Sequence, residues 1–404
     1  MRKFIRARAL LLALALVAPL ALTACGGDDD EKATFVPAAA TPTANAASAE
    51  PLTVAVAPKS GAKDRPVSTE ITAKVEGGGA LSDVVLKAKG GGQVKGALRD
   101  DGSAWVPAKP LAYDTTYTAT VTATAPDGRM ATATSTFRTM GRPGNVIGSG
   151  LYLFDGNTYG VAMPVVVEFT PGIPEKDRAK VEKRMFVSTT PSQPGVWHWL
   201  PNGTQAYYRA PEYWKPGTTL DVRLALEGIP LSNGRYGNTD RTAKATIGSR
   251  LEMKVDNATK QMRVYEDGKL TKTFPVSLGK PKTPSSSGTM VIMEKKRETT
   301  FDTRTNPDPE NRYVTDVEYA QRLTWGGEYI HAAPWSEGQQ GNTNVSHGCV
   351  NLATRNAAWL YARTKIGDPI TVEGTEVKLT HGNGWSAWNL SWEEFVKGSA
   401  LPVD

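Results

Sequence analysis

Short runs in which apolar residues alternate with small or polar ones, each closed by Gly, Pro, Asp or Asn, recur along most of this sequence and confine it to a strand-rich fold. Thr53-Val54-Ala55-Val56 and Thr116-Tyr117-Thr118-Ala119-Thr120-Val121 place every second side chain on one face, the period of a half-buried strand. The 27 Pro and 39 Gly supply turns between such runs and leave little room for long helices. At 404 residues the chain is too long for one ordinary core. A modular, mainly β protein of roughly two to four domains is expected.

The N-terminus carries Arg2, Lys3, Arg6 and Arg8, then an uncharged apolar run of 14 residues from Ala9 to Leu22, then small residues before Cys25. That order reads as an export signal over residues 1–25. The run falls short of the roughly 20 residues that a membrane-spanning helix needs. Leu22-Thr23-Ala24-Cys25 resembles the lipobox of bacterial lipoproteins. The resemblance implies lipidation of Cys25 by several acyl chains, palmitate among them. Such an anchor would hold the chain stably at the outer face of the cytoplasmic membrane, working in the cell wall.

Residues 26–50 are rich in Asp, Ala, Thr and Pro with almost no large apolar side chain, and are expected to form a disordered tether. Residues 51–139 and 140–249 each read as a β-sandwich. Asp101-Gly102 precedes Trp105 and Thr115-Thr116-Tyr117, and Asn202-Gly203 precedes Tyr207 and Thr218-Thr219-Leu220. A recurrence at about 100 residues points to a repeated immunoglobulin-like module. Residues 250–375 open on hairpins at Leu251–Val255 and Gln261–Tyr265. They continue to a short helix, with Thr354 as its expected cap and Ala357, Ala358, Leu360 and Tyr361 on its apolar face. The tail at 376–404 carries Trp385, Trp388 and Trp392, expected to dock on the body.

The sequence contains two cysteines, Cys25 and Cys349. If the first carries lipid, the second has no partner for an intramolecular disulfide, and an exported free thiol points to wanted reactivity. His331 and His347 both precede Cys349 in sequence, the second within Ser346-His347-Gly348-Cys349. A neighbouring imidazole is what a thiol needs to lose its proton or stabilise its thiolate. Gly348 leaves space for backbone N–H groups, most simply those of Gly348 and Cys349, to meet a developing oxyanion. His331, His347 and Cys349 would also supply three zinc donors, but no fourth ligand at a characteristic spacing accompanies them. Cys349 as a buried apolar residue is the other bland alternative. The net charge of +6 is scattered along the chain, which does not support nucleic-acid binding.

Tyr329-Ile330-His331-Ala332-Ala333-Pro334-Trp335-Ser336, Gly341-Asn342-Thr343-Asn344 and Ser346-His347-Gly348-Cys349-Val350-Asn351-Leu352 together resemble the L,D-transpeptidase catalytic domain. The order of lipobox, two immunoglobulin-like modules, this domain and a Trp-rich tail is similar to that of the lipoprotein members. The resemblance implies peptidoglycan cross-linking between the third residues of two tetrapeptide stems, donor and acceptor, without a cofactor or metal. Cys349 would attack the donor carbonyl, D-alanine would leave, and an amine of the acceptor stem would resolve the thioester. His331 would accept and donate the proton, Ala332 would orient it through its carbonyl, and His347 would support the loop. Tyr313, Gly326, Gly327, Asn351, Trp335 and Ser346 would contact substrate. Covalent capture by carbapenem β-lactams follows from the same resemblance. An L,D-carboxypeptidase, in which water resolves the same acyl-enzyme, and a non-catalytic wall-binding lipoprotein are the competing readings.

Overall fold

The structure, a computed structural model, describes residues 50–403. The export signal, the lipobox with Cys25 and nearly all of the tether expected at 26–50 lie outside the described residues. Among the described residues no helix is long and apolar enough to cross a membrane.

The chain is mainly β, as its alternating runs predict. In the first sandwich the strand Thr116–Thr124 lies between Met130–Thr139 and Ala80–Ala88. Its side chains alternate between buried and half-buried, which sends Tyr117, Ala119 and Val121 into a core with Ile71, Leu86, Trp105 and Phe137. The second sandwich faces a five-stranded sheet, with Val165–Thr170 at its centre, against a four-stranded sheet that includes Thr219–Leu224 and Arg241–Ile247.

Both modules use the same local devices. Gly102 and Gly203 turn the chain with φ of 66° and 68°, a region that favours glycine, just before the buried rings of Trp105 and Tyr207. The Ala112 N–H donates to the Tyr117 hydroxyl at 2.8 Å, and the Phe154 N–H to the Tyr159 hydroxyl at 3.0 Å. A tyrosine thus pins the chain upstream of its own strand in each module, as tyrosine corners do in such sandwiches.

The third region holds a six-stranded sheet in which Leu251–Asp256 pairs with Gln261–Glu266 on one side and, in parallel, with Pro369–Glu373 on the other. A four-stranded sheet runs in the order Glu294–Asp302, Val314–Arg322, Tyr329–Ala332, Val350–Leu352. The helix Thr354–Tyr361 buries Ala357 and Leu360 in the core between them. Thr354, the expected cap, is instead the first helical residue. Ala353 occupies the cap position and offers no side-chain acceptor.

The tail packs into the core of the second sandwich, where Trp385, Ala387 and Phe395 join Trp199 and Tyr207. Arg209 fixes it there. Its buried guanidinium donates to the carbonyls of Ala387 and Leu390 at 3.1 and 3.0 Å, and it lies over the rings of Trp388 and Phe395 at 4.4 and 4.3 Å. A buried cation is tolerable only when its donors are paired in this way.

Candidate active site

Two neighbouring parallel strands bring the thiol and imidazole together. His331 pairs with Asn351 and Ala332 with Leu352, so Cys349, two residues before Asn351, shares the His331 face of the sheet. Two residues of strand rise, roughly 6.6 Å, and one inter-strand step of roughly 4.8 Å separate their Cα atoms. Side chains of their length can converge across that gap. Both line one cavity of about 580 Å³.

The environment sets the proton states. His331 is 4% exposed and Cys349 6%. Burial brings the His331 imidazole down to about 4, partly opposed by its bond to Ala332, and pushes the Cys349 thiol up to about 12. The His331 Nδ1–H donates to the Ala332 carbonyl at 2.8 Å, which leaves Nε2 with a free lone pair. Because only the main chain of Ala332 is used, its methyl side chain is no handicap. At neutral pH the pair is therefore a neutral base beside a protonated thiol, and the arrangement can remove the thiol proton as sulfur attacks.

The loop before the thiol is braced from both sides. Ser346 Oγ accepts the Gly348 N–H at 3.1 Å and donates to the Cys349 carbonyl at 2.7 Å. Ser285 Oγ donates to the Gly348 carbonyl at 2.7 Å and accepts the Gly279 N–H at 2.9 Å. These bonds correct one expectation. Gly348 was expected to aim its N–H at an oxyanion, but that N–H is held by Ser346; its backbone, at φ 117°, is what the tight turn requires. Ser346, expected to contact substrate, lines the cavity, and its hydroxyl also shapes the turn. The Tyr329 N–H instead faces the sulfur and favours its thiolate.

His347 sits at the exposed rim, its ring 5.1 Å from that of Tyr313, with Lys280 Nζ 3.1 Å from its Nε2. Trp335, 57% exposed, packs its ring 6.0 Å from His331. Tyr313, Trp335, His347 and Asn351 all face the cavity. The buried Asn351 amide donates to Ser336 Oγ at 3.1 Å, while its Oδ1 has no hydrogen-bond partner. The Gly327 carbonyl lies 3.7 Å from Cys349 Sγ. Gly326, also expected at substrate, donates its N–H to Asn383 Oδ1 of the tail at 2.8 Å, so that donor is not free for a ligand.

Three residues went unread in the sequence. Phe301 sets its ring edge-on to His331 at 5.3 Å, Ser285 braces Gly348, and Asn383 reaches in from the tail. Nothing in the neighbouring sequence marks Phe301 or Asn383. Among the described residues no group of three or more His, Cys, Asp or Glu is placed to hold a metal ion.

A thiol and an imidazole in one cavity, carried on a strand-rich domain behind immunoglobulin-like modules, define a class that comparison with known proteins makes specific. A family model for the L,D-transpeptidase catalytic domain matches residues 252–372, and one for a bacterial Ig domain matches residues 62–230. L,D-transpeptidase 5 of Mycobacterium tuberculosis is 35% identical over 345 residues, covering 83% of this chain and 74% of its own length. L,D-transpeptidase 2 of the same species is 34% identical, with 80% and 79% covered. Among solved structures, an LD transpeptidase in complex with imipenem aligns with a TM-score of 0.48 and 34% identity, covering 57% of this chain and all of that one. The chain belongs to the L,D-transpeptidase family.

Proposed function

We propose that this protein forms 3-3 cross-links in peptidoglycan through a thioester on Cys349. The observation that carries the reading is the placement of His331 on one strand and of Cys349 immediately before the parallel strand beside it, facing one cavity, with the imidazole oriented by Ala332. Sulfur attacks the carbonyl of the third residue of a donor stem while His331 Nε2 takes the thiol proton. The tetrahedral intermediate collapses as the proton passes to the leaving amine, and D-alanine departs. An amine of the acceptor stem then attacks the thioester, giving its proton to His331 and restoring the thiol. Tyr313, Trp335 and Asn351 wall the cavity in which both stems would be held. The same nucleophile would open the strained ring of a carbapenem and keep it as an adduct.

The N-terminal residues support an exported lipoprotein, tethered by lipid on Cys25 at the outer face of the cytoplasmic membrane. Two sandwich modules would then carry the active site away from the bilayer and into the wall. Changing Cys25→Ala should move the protein from the membrane fraction to the soluble fraction; an unchanged distribution would exclude the anchor. For the chemistry, residues 50–404 are incubated with a tetrapeptide stem and followed by mass spectrometry. D-alanine release, a thioester on Cys349 and, with acceptor present, a joined product are expected. Products of water attack alone, even with acceptor in excess, would overturn the cross-linking assignment.

A further inference from the structure

The glycine pair Gly326–Gly327 stands directly beside the nucleophile, since the Gly327 carbonyl is 3.7 Å from Cys349 Sγ. Two successive glycines have unusual conformational freedom, and Gly327 uses it, at φ 94°. The turn is closed from within by the Gly327 N–H on the Thr324 carbonyl at 3.3 Å and the Glu328 N–H on Thr324 Oγ1 at 3.0 Å, but the Gly326 N–H finds no partner inside it. That N–H is taken by Asn383 Oδ1 at 2.8 Å. Asn383 belongs to a stretch of tail that is fixed on both sides. A Cβ on Gly384 would lie 2.7 Å from the Leu323 carbonyl, so the tail runs against the strand end that leads into the glycines. On its other side the Tyr207 hydroxyl reaches the Gly384 carbonyl at 3.0 Å, and His381 Nε2 lies 3.0 Å from His198 Nε2. Tyr207 and His198 are both residues of the second sandwich.

We infer that Asn383 is a positioning residue for the reaction: the tail, docked on the second sandwich, holds Gly326 so that the Gly327 carbonyl and Tyr329 N–H keep their places around Cys349. Gly326 is exposed, so its N–H would find water if Asn383 were lost, and stability would change little. The loss would be felt in the ordering of the turn at the sulfur. This gives the Trp-rich tail a part in catalysis besides covering apolar surface, and explains how a module without catalytic groups can influence the thiol. The inference rests on the reading of Cys349 as nucleophile given above.

The test compares Asn383→Leu, which keeps the size and removes the acceptor, with Asn383→Asp, which keeps the acceptor. In Asn383→Leu, kcat/KM for D-alanine release is expected to fall about five- to tenfold, the worth of one hydrogen bond. The fall should lie in kcat, with KM and Tm nearly unchanged, and Asn383→Asp should recover most of it. Alkylation of Cys349 by iodoacetamide at fixed pH should slow about threefold in Asn383→Leu as the Tyr329 N–H drifts from the sulfur. Wild-type rates for Asn383→Leu in both assays, or an Asn383→Asp as slow as Asn383→Leu, would overturn the inference. A wild type that alkylates normally yet releases no D-alanine would defeat the cross-linking reading, and the alkylation comparison would still decide the role of Asn383.

Discussion

This protein has two buried histidine sites, and the contrast between them shows what makes one of them chemical. At the cavity, the His331 Nδ1–H is given to the Ala332 carbonyl and Nε2 is left without a partner facing the space shared with Cys349. Where tail meets sandwich, the His198 Nδ1–H is given to the Phe395 carbonyl at 2.7 Å, so its Nε2 must accept from His381 Nε2–H at 3.0 Å. His381 Nδ1 then accepts from Ser386 Oγ at 3.2 Å, and that oxygen accepts the Gly382 N–H at 2.8 Å. Burial brings both His331 and His381 down to about 4, and also lowers His198. A depressed imidazole is thus common to both sites. Only the first keeps a nitrogen free, a thiol beside it and an opening to substrate; the second spends every ring nitrogen on holding a tail.

The largest effect expected from this contrast is the loss of D-alanine release in Cys349→Ala, by at least ~10³-fold, with the fold intact by circular dichroism. Next comes a crossed comparison. His331→Ala should cost about 10²- to 10⁴-fold in kcat/KM with little change in Tm, whereas His381→Ala should lower Tm by several degrees and cost less than about fivefold in rate. If His381→Ala proved the slower enzyme, the division between a reactive and a structural site would collapse.

The pH dependence sharpens the same division. His331 must be neutral to act as a base, and its folded value of about 4 places the acid limb of kcat/KM near there rather than near the ordinary 6.5 of histidine. A limb close to 6.5 would mean that the cavity is wetter than its burial implies.

The smallest effect is on stability. For His381, lowered to about 4, the unfolded chain binds more protons than the folded one between about 4 and 6.5, and the lowered His198 acts in the same direction. The stability contributed by these two histidines should therefore be complete above about 6.5 and fall as pH drops through that window. The loss would be about 1–2 kcal/mol once screening at the half-exposed His381 is allowed for. The Tm advantage of the wild type over His381→Gln should therefore shrink as pH falls from 7 to 5.

Much of the architecture was legible because strand periodicity is local. The alternation in Thr116–Thr124 and the Asp-Gly and Asn-Gly turns before Trp105 and Tyr207 specify strands and bends without help from distant residues. Cys349, His331 and Gly348 were legible as candidates, since they carry chemistry or conformation that few residues can supply. The expected donors around them were not. Gly348 and Gly326 each offer an N–H to whichever acceptor lies nearest, and the nearest were Ser346 and Asn383, the second 57 residues away in sequence.

By itself, then, the sequence determined a mainly β chain with a repeated sandwich, an export signal pattern and a cysteine closely preceded by two histidines, because periodicity, turn chemistry and cysteine count act over a few residues. The tertiary structure decided which histidine is buried with the thiol, which backbone groups are already bonded, and that the tail reaches the glycine turn beside Cys349. Those outcomes depend on which strands pair and what packs against them, and distance along the chain does not predict them.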